Sequence, residues 1–202
     1  MKNLIKIKTR LLHATFIMAL LMVVFSCTNN RPADSKELAT ESNKEMFETS
    51  QQVNDAQFLV DAAEFNLENI TLGRLAQQKG STVKVKELGK MMQDKHQKSL
   101  DDLTVLAKTK MVIIPTLITD KSNDTYISLN DKSGQDFDKS YSDLMVSRHK
   151  DAISVFEDAT TDVSDADIRN WAVASLPGLR NHLDQSIALQ KLCDEKYAVI
   201  GK

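Results

Sequence analysis

The feature that most constrains this chain is a helical apolar period that recurs in four long segments with few breakers inside them. In the stretch 86–103, Leu88, Met92, His96, Leu100 and Leu103 share one helical face, while Lys86, Lys90, Asp94, Lys98 and Asp101 cover much of the rest. A histidine therefore stands in the middle of an apolar stripe. No segment reads as a strand hairpin or a glycine-rich phosphate loop. Three prolines, six glycines and 5% aromatic residues agree with an all-α domain.

The other three segments repeat the pattern. A first helix is expected over about 53–79, with Phe58, Ala62, Phe65, Leu72, Leu75 and Ala76 on its buried side and Glu68 between them. Ala62, Ala63 and Gly73 are small enough to admit a close neighbour. Lys79-Gly80-Ser81 reads as a stop and restart, with Gly80 suited to a left-handed C′ position and Ser81 to the next N-cap. The second helix, about 82–110, is then antiparallel to the first. A third is expected over about 135–160, carrying Phe137, Tyr141, Met145, His149, Ile153 and Phe156, with Asp136 and Asp138 in its first turn to complement the dipole. Ser164 to Asp167 resembles a capping box that opens a fourth helix over about 165–199, with Trp171, Leu179, His182 and Leu183 on its stripe. Pro177 lies inside that helix, so a kink or break is expected there. Residues 111–133 lack a helical period. A connection that long can carry the chain back along the molecule, so the expected architecture is a ferritin-like four-helix bundle with one long crossover between helices two and three.

The start of the chain sets the expected location. Lys2, Lys6, Lys8 and Arg10 precede an apolar run from Leu11 to Phe25, shorter than the about 20 residues of a membrane span. Val24-Phe25-Ser26-Cys27 resembles a bacterial lipobox. The resemblance implies a lipoprotein signal peptide over residues 1–26, cleavage before Cys27, and a lipid on its sulfur. Residues 27–50 read as a lipid-anchored flexible tether and residues 51–202 as the domain. The expectation is an exported lipoprotein of the cell envelope whose partner is the membrane. Thr28, which is not Asp, leans towards the outer membrane with the domain facing the periplasm. Loss of the signal leaves 22 basic residues against 28 acidic ones, a formal charge of −6, which argues against nucleic acid as a partner. With Cys27 lipidated, Cys193 is the sole thiol and no intramolecular disulfide can form.

The residues Phe58, Ala62-Ala63, Glu68, Leu72-Gly73 and Leu75-Ala76 open a longer pattern. It continues through Met92 and His96, then Phe137-Asp138, Tyr141, Met145, His149 and Phe156, then Leu176-Pro177, Leu179 and His182-Leu183. This pattern resembles the bacterial domain-of-unknown-function 4142 family across about residues 53–190. It departs at Lys95 and Arg148, where such sequences often carry Asp before the His. The resemblance implies a ferritin-like fold and an exported or membrane-anchored protein, and it implies no reaction.

The chemistry rests on four residues. His96, His149 and His182 each lie near the middle of a different helix on its apolar side, and Glu68 lies near the middle of the remaining one. At about 1.5 Å rise per residue the four fall within roughly one turn of a common level. Imidazole and carboxylate are ligands for zinc, copper, iron or nickel, so one transition-metal ion is a candidate cofactor. Met92 and Met145, each four residues before a histidine, would suit copper or serve as core filler. A di-iron centre needs Glu-x-x-His pairs, whereas Gln93, Val146 and Leu179 stand three before the histidines. The alternative is a metal-free polar layer that fixes helix register. No substrate or catalytic residue is indicated.

Overall fold

The structure is a computed structural model and describes residues 34–200, with side chains as far as Lys196. The expected signal peptide and Cys27 lie outside the described residues. Six helices follow one another: α1 Ser35–Met46, α2 Ser50–Lys79, α3 Val83–Thr109, α4 Asp120–Asn130, α5 Gly134–Asp162 and α6 Ala166–Ile200. Among the described residues there is no strand, and no helix is long and apolar enough to cross a membrane.

The four long helices pair as two hairpins. The short link between α2 and α3 makes them antiparallel, and they approach closely where Gly73 meets Gly89. A Cβ on Gly73 would lie 2.6 Å from the Gly89 carbonyl oxygen. Alanine ordinarily gains roughly 1 kcal/mol over glycine inside a helix. Here Gly73→Ala is expected to lose about 1–3 kcal/mol instead, because two backbones must part. Urea unfolding showing a gain would contradict this packing. In the second hairpin, Arg180 donates to Glu157 at 2.8 Å and Lys139 pairs with Asp194 at 2.6 Å, so α5 and α6 are antiparallel too. Helix α2 packs on α5, and α3 on α6.

A reciprocal exchange locks the hairpins together. The Asp55 carboxylate of α2 accepts from the backbone N–H (3.0 Å) and hydroxyl (2.6 Å) of Ser164 and from the N–H of Asp165 (2.9 Å), all in the α5–α6 link. The Asp138 carboxylate of α5 accepts from the N–H (2.8 Å) and hydroxyl (2.6 Å) of Ser81, in the α2–α3 link. Both aspartates are buried. Asp55→Ala strands two buried N–H groups and is expected to cost about 2–3 kcal/mol. Exposed Asp94, paired with Lys90 across one helical turn, is the comparison, with an expected loss under about 1 kcal/mol. Equal losses at the two positions would show that the exchange does not hold the hairpins.

The same exchange corrects two expected caps. Ser81 and Ser164 are engaged across the interface, and the residue after each does the capping. Thr82 accepts from Val85 N–H at 3.3 Å, and Asp165 from Asp167 and Ile168 N–H at 2.9 and 3.1 Å. Gly80 is not left-handed (φ −51°). It is small because a Cβ there would stand 2.7 Å from both the Ala76 carbonyl oxygen and a Val85 methyl.

The long connection does run the length of the helices. Lys110, at the end of α3, pairs with Asp165 and Asp167 at the start of α6, both at 2.7 Å. Asp138, at the start of α5, sits beside Ser81 at the start of α3. Residues 110–133 therefore travel from one end to the other. They are not without structure, since α4 lies within them. Thr119 caps α4 and also donates to Glu64 of α2 at 2.7 Å.

The expected tether is also partly ordered. Residues 35–46 form α1 and dock on α2 and on the 110–116 segment. Lys36 pairs with Asp61 at 2.8 Å and with Glu64. The Asn43 amide exchanges two bonds with the Ile113 backbone, at 2.7 and 2.8 Å. Only Ala39 and Asn43 of α1 are buried, so the helix is held by polar contacts and carries no apolar stripe. Pro177 does not break α6. It faces solvent, as does Val173 at 50% exposure, so water can solvate the carbonyl that loses its partner.

Candidate metal centre

The buried side chains form two apolar clusters. One contains Leu59, Phe58, Leu103, Phe156 and Ile168; the other contains Leu72, Leu75, Met92, Tyr141, Met145 and Leu189. Between them, on all four long helices, lies a polar level: Asn66 and Asn69 on α2, His96 on α3, His149 on α5 and His182 on α6. The three histidines converge. Their ring centroids are 5.1 to 5.5 Å apart, and one nitrogen from each lies within 4.8 Å of the others. Phe65 packs edge-on against His96 and His149.

The partners of the outer nitrogens fix the tautomers. His149 Nδ1 faces the Met145 carbonyl at 2.8 Å, so it carries the proton. His96 Nδ1 lies 2.8 Å from Asn66 Oδ1, while Asn66 Nδ2 donates to the Ala62 carbonyl at 2.8 Å. Turning the Asn66 amide over would set its oxygen against that carbonyl, so His96 Nδ1 is a donor as well. Both Nε2 atoms then present lone pairs, and these face each other at 3.3 Å. Two neutral acceptors cannot make a hydrogen bond. Nδ1 of His182 is buried with no partner. Burial depresses all three imidazoles, His96 well below the ordinary range and His149 and His182 to about 4, so a shared proton does not relieve the pair at neutral pH.

A cation resolves the arrangement. Ligands about 2.0–2.1 Å from a tetrahedral zinc ion lie about 3.3–3.4 Å from one another. The 3.3 Å separation of the two Nε2 atoms has that size. Asn66 and the Met145 carbonyl then act as the outer partners that orient ligating imidazoles.

Glu68 is not part of this group. Its carboxylate pairs with Arg148 of α5 at 3.0 Å. Burial, with Glu64 nearby, raises it above the usual carboxylate range despite Arg148. On a helix turning about 100° per residue, positions 66 and 68 point about 160° apart, with Phe65 between them. The residue that α2 turns toward His96 is Asn66. Met92 and Met145 are fully buried in the second apolar cluster. Cys193 belongs to that cluster too, and burial raises its thiol.

A family match agrees with this layout. Residues 39–189 match the family described as Domain of unknown function (DUF4142), a span that starts within α1 and holds all three histidines. The chain belongs to the DUF4142 family. No curated protein and no solved structure matches it. The start of the DUF4142 match inside α1 puts that helix with the domain, as its docking does.

The DUF4142 chain also carries an internal repeat that locates Asn66. Asp55 and Asp138 are 83 residues apart, as are Ser81 and Ser164, the two ends of the reciprocal exchange. The same offset carries Phe58 onto Tyr141, Ala76 onto Ala159, Val85 onto Ile168 and Asn66 onto His149. Asn66 is the α2 counterpart of a histidine. A self-comparison at that offset would have flagged it.

Proposed function

We propose that this protein is a cell-envelope lipoprotein whose ferritin-like four-helix core, with α4 lying in the crossover, binds one transition-metal ion through His96, His149 and His182. The observation that carries the reading is the pair of facing Nε2 lone pairs, each fixed by a committed Nδ1–H. A polar layer built only to set helix register has no need of two opposed acceptors. Three imidazoles without a thiolate or carboxylate favour zinc(II) or copper(II) over harder ions. Copper(I) gains nothing specific from Met92 and Met145, which the apolar cluster already accounts for.

The test is metal analysis of protein taken from its native envelope, compared with each single His→Ala variant. One ion per chain in the parent and none in the variants supports the reading. Parent protein without metal, which also fails to take up zinc or copper, rejects it. The anchor is tested separately: Cys27→Ala is expected to release the protein from membranes, and an unmodified Cys27 thiol in the mature chain rejects lipidation.

A further inference from the structure

The triad is closed on one side and open on the other. His149 is fully buried, whereas His96 and His182 line a cleft of about 310 Å³ between α3 and α6. The cleft exists because small residues meet across it: Ser99 on α3, and Ala174, Ser175 and Gly178 on α6. A Cβ built on Gly178 would meet nothing within 4 Å. The inner walls are apolar, from Phe65, Trp171 and Leu179. At the mouth, Lys98 is tied to Asp102 at 2.9 Å. Lys95 has no ion-pair partner, and its charge reaches His182.

These features define a ligand. A three-histidine ion keeps a fourth position, and the cleft leads to the two histidines beside it. A volume at the lower end of the about 300–1,000 Å³ typical of ligand sites holds a small molecule. One unpaired ammonium with one metal ion matches a single negative charge, and aromatic and aliphatic walls match an apolar tail. We propose that the α3–α6 cleft admits small organic monocarboxylates, with the carboxylate at the open metal position beside Lys95 and the tail against Phe65, Trp171 and Leu179. This rests on the metal reading above.

The experiment uses the cobalt(II)-loaded protein. Cobalt(II) gives a visible spectrum sensitive to its fourth ligand, and Trp171, the chain's single tryptophan, reports on the wall by its emission. The probe is 3-phenylpropanoate. Acetate supplies the head without the tail, and 3-phenylpropylamine the tail with the opposite charge. Saturable changes in both signals with 3-phenylpropanoate are expected, at least about tenfold weaker with either control. Gly178→Leu fills the cleft and Lys95→Met removes the charge. Each is expected to weaken the probe at least about tenfold while one cobalt ion per chain is retained. If Gly178→Leu does not fold, Ser99→Phe closes the cleft from the other wall. A spectrum unmoved by the probe, equal binding of the amine, or full binding in the filled variants overturns the cleft proposal with the metal reading intact. Failure to load cobalt at all overturns the metal reading, and this proposal with it.

Discussion

Zinc added to the metal-stripped protein is expected to raise its unfolding free energy by about 2.7 kcal/mol when free zinc is a hundredfold above the dissociation constant, and by about 4.1 kcal/mol at a thousandfold. The gain follows from linkage: the folded chain holds three imidazoles around one point, while the unfolded chain does not. In His96→Ala, His149→Ala and His182→Ala the gain is expected to vanish. Each variant keeps most of its helicity, because alanine is the best helix former and the flanking apolar clusters are untouched. Glu68→Gln is expected to leave zinc stoichiometry unchanged, since Glu68 pairs with Arg148 away from the triad. Thermal unfolding with and without zinc, read beside metal content, separates the two accounts of the histidines. A register-fixing layer predicts no zinc-dependent shift and a His149→Leu variant as stable as the parent or more so. A zinc effect that survives in all three alanine variants would place the ion elsewhere and reject the centre.

The placement of the histidines was legible because each sits in an apolar stripe with core residues on both sides. Met92 and Leu100 bracket His96, and Met145 and Ile153 bracket His149. Position on a stripe fixes direction to within a fraction of a turn, and that sufficed on α3, α5 and α6. On α2 it did not. That helix is buried on several sides, by α1, α3, α4 and α5, so its polar residues face different neighbours. Asn66 turns to α3 and Glu68 to α5, and only the packing tells them apart. The carboxylate drew attention as the better ligand type, although Asn66 holds the place related to His149 by the internal repeat.

Two helices were not legible for a related reason. Helix α1 buries little and docks through Lys36 and Asn43, to an acidic pair on α2 and to the backbone of Ile113. Periodicity detects apolar burial and is blind to docking of this kind. Helix α4 is short, with Ser122 and Leu129 its buried residues, and gives no sustained stripe. The two helix-restart serines were read as local caps, the commonest use of serine there. Their actual partners are aspartates more than 50 residues away, and no local pattern reveals them.

Acidification is expected to destabilise the metal-free protein by several kcal/mol between pH 7 and pH 4. Burial holds His149 and His182 at about 4 and His96 well below its ordinary value, whereas the unfolded chain titrates them near about 6.5. Between those values the unfolded state binds more protons, so stability rises with pH across the window and is lost as pH falls through it. Each group shifted from about 6.5 to about 4 corresponds to about 3 kcal/mol, and because the rings interact, the protons go on as a set. Glu68 acts in the opposite sense. Its carboxyl is raised by burial, so acid relieves a cost there and blunts the loss. The histidines dominate because there are three of them. Urea unfolding of chelator-treated protein at intervals from pH 7 to pH 4 measures the slope, and His149→Leu with His182→Leu should flatten most of it. Equal stability at pH 7 and pH 5 in the parent would mean that the three imidazoles are not held neutral together. The opposed Nε2 pair, and the metal centre argued from it, would then lose its basis.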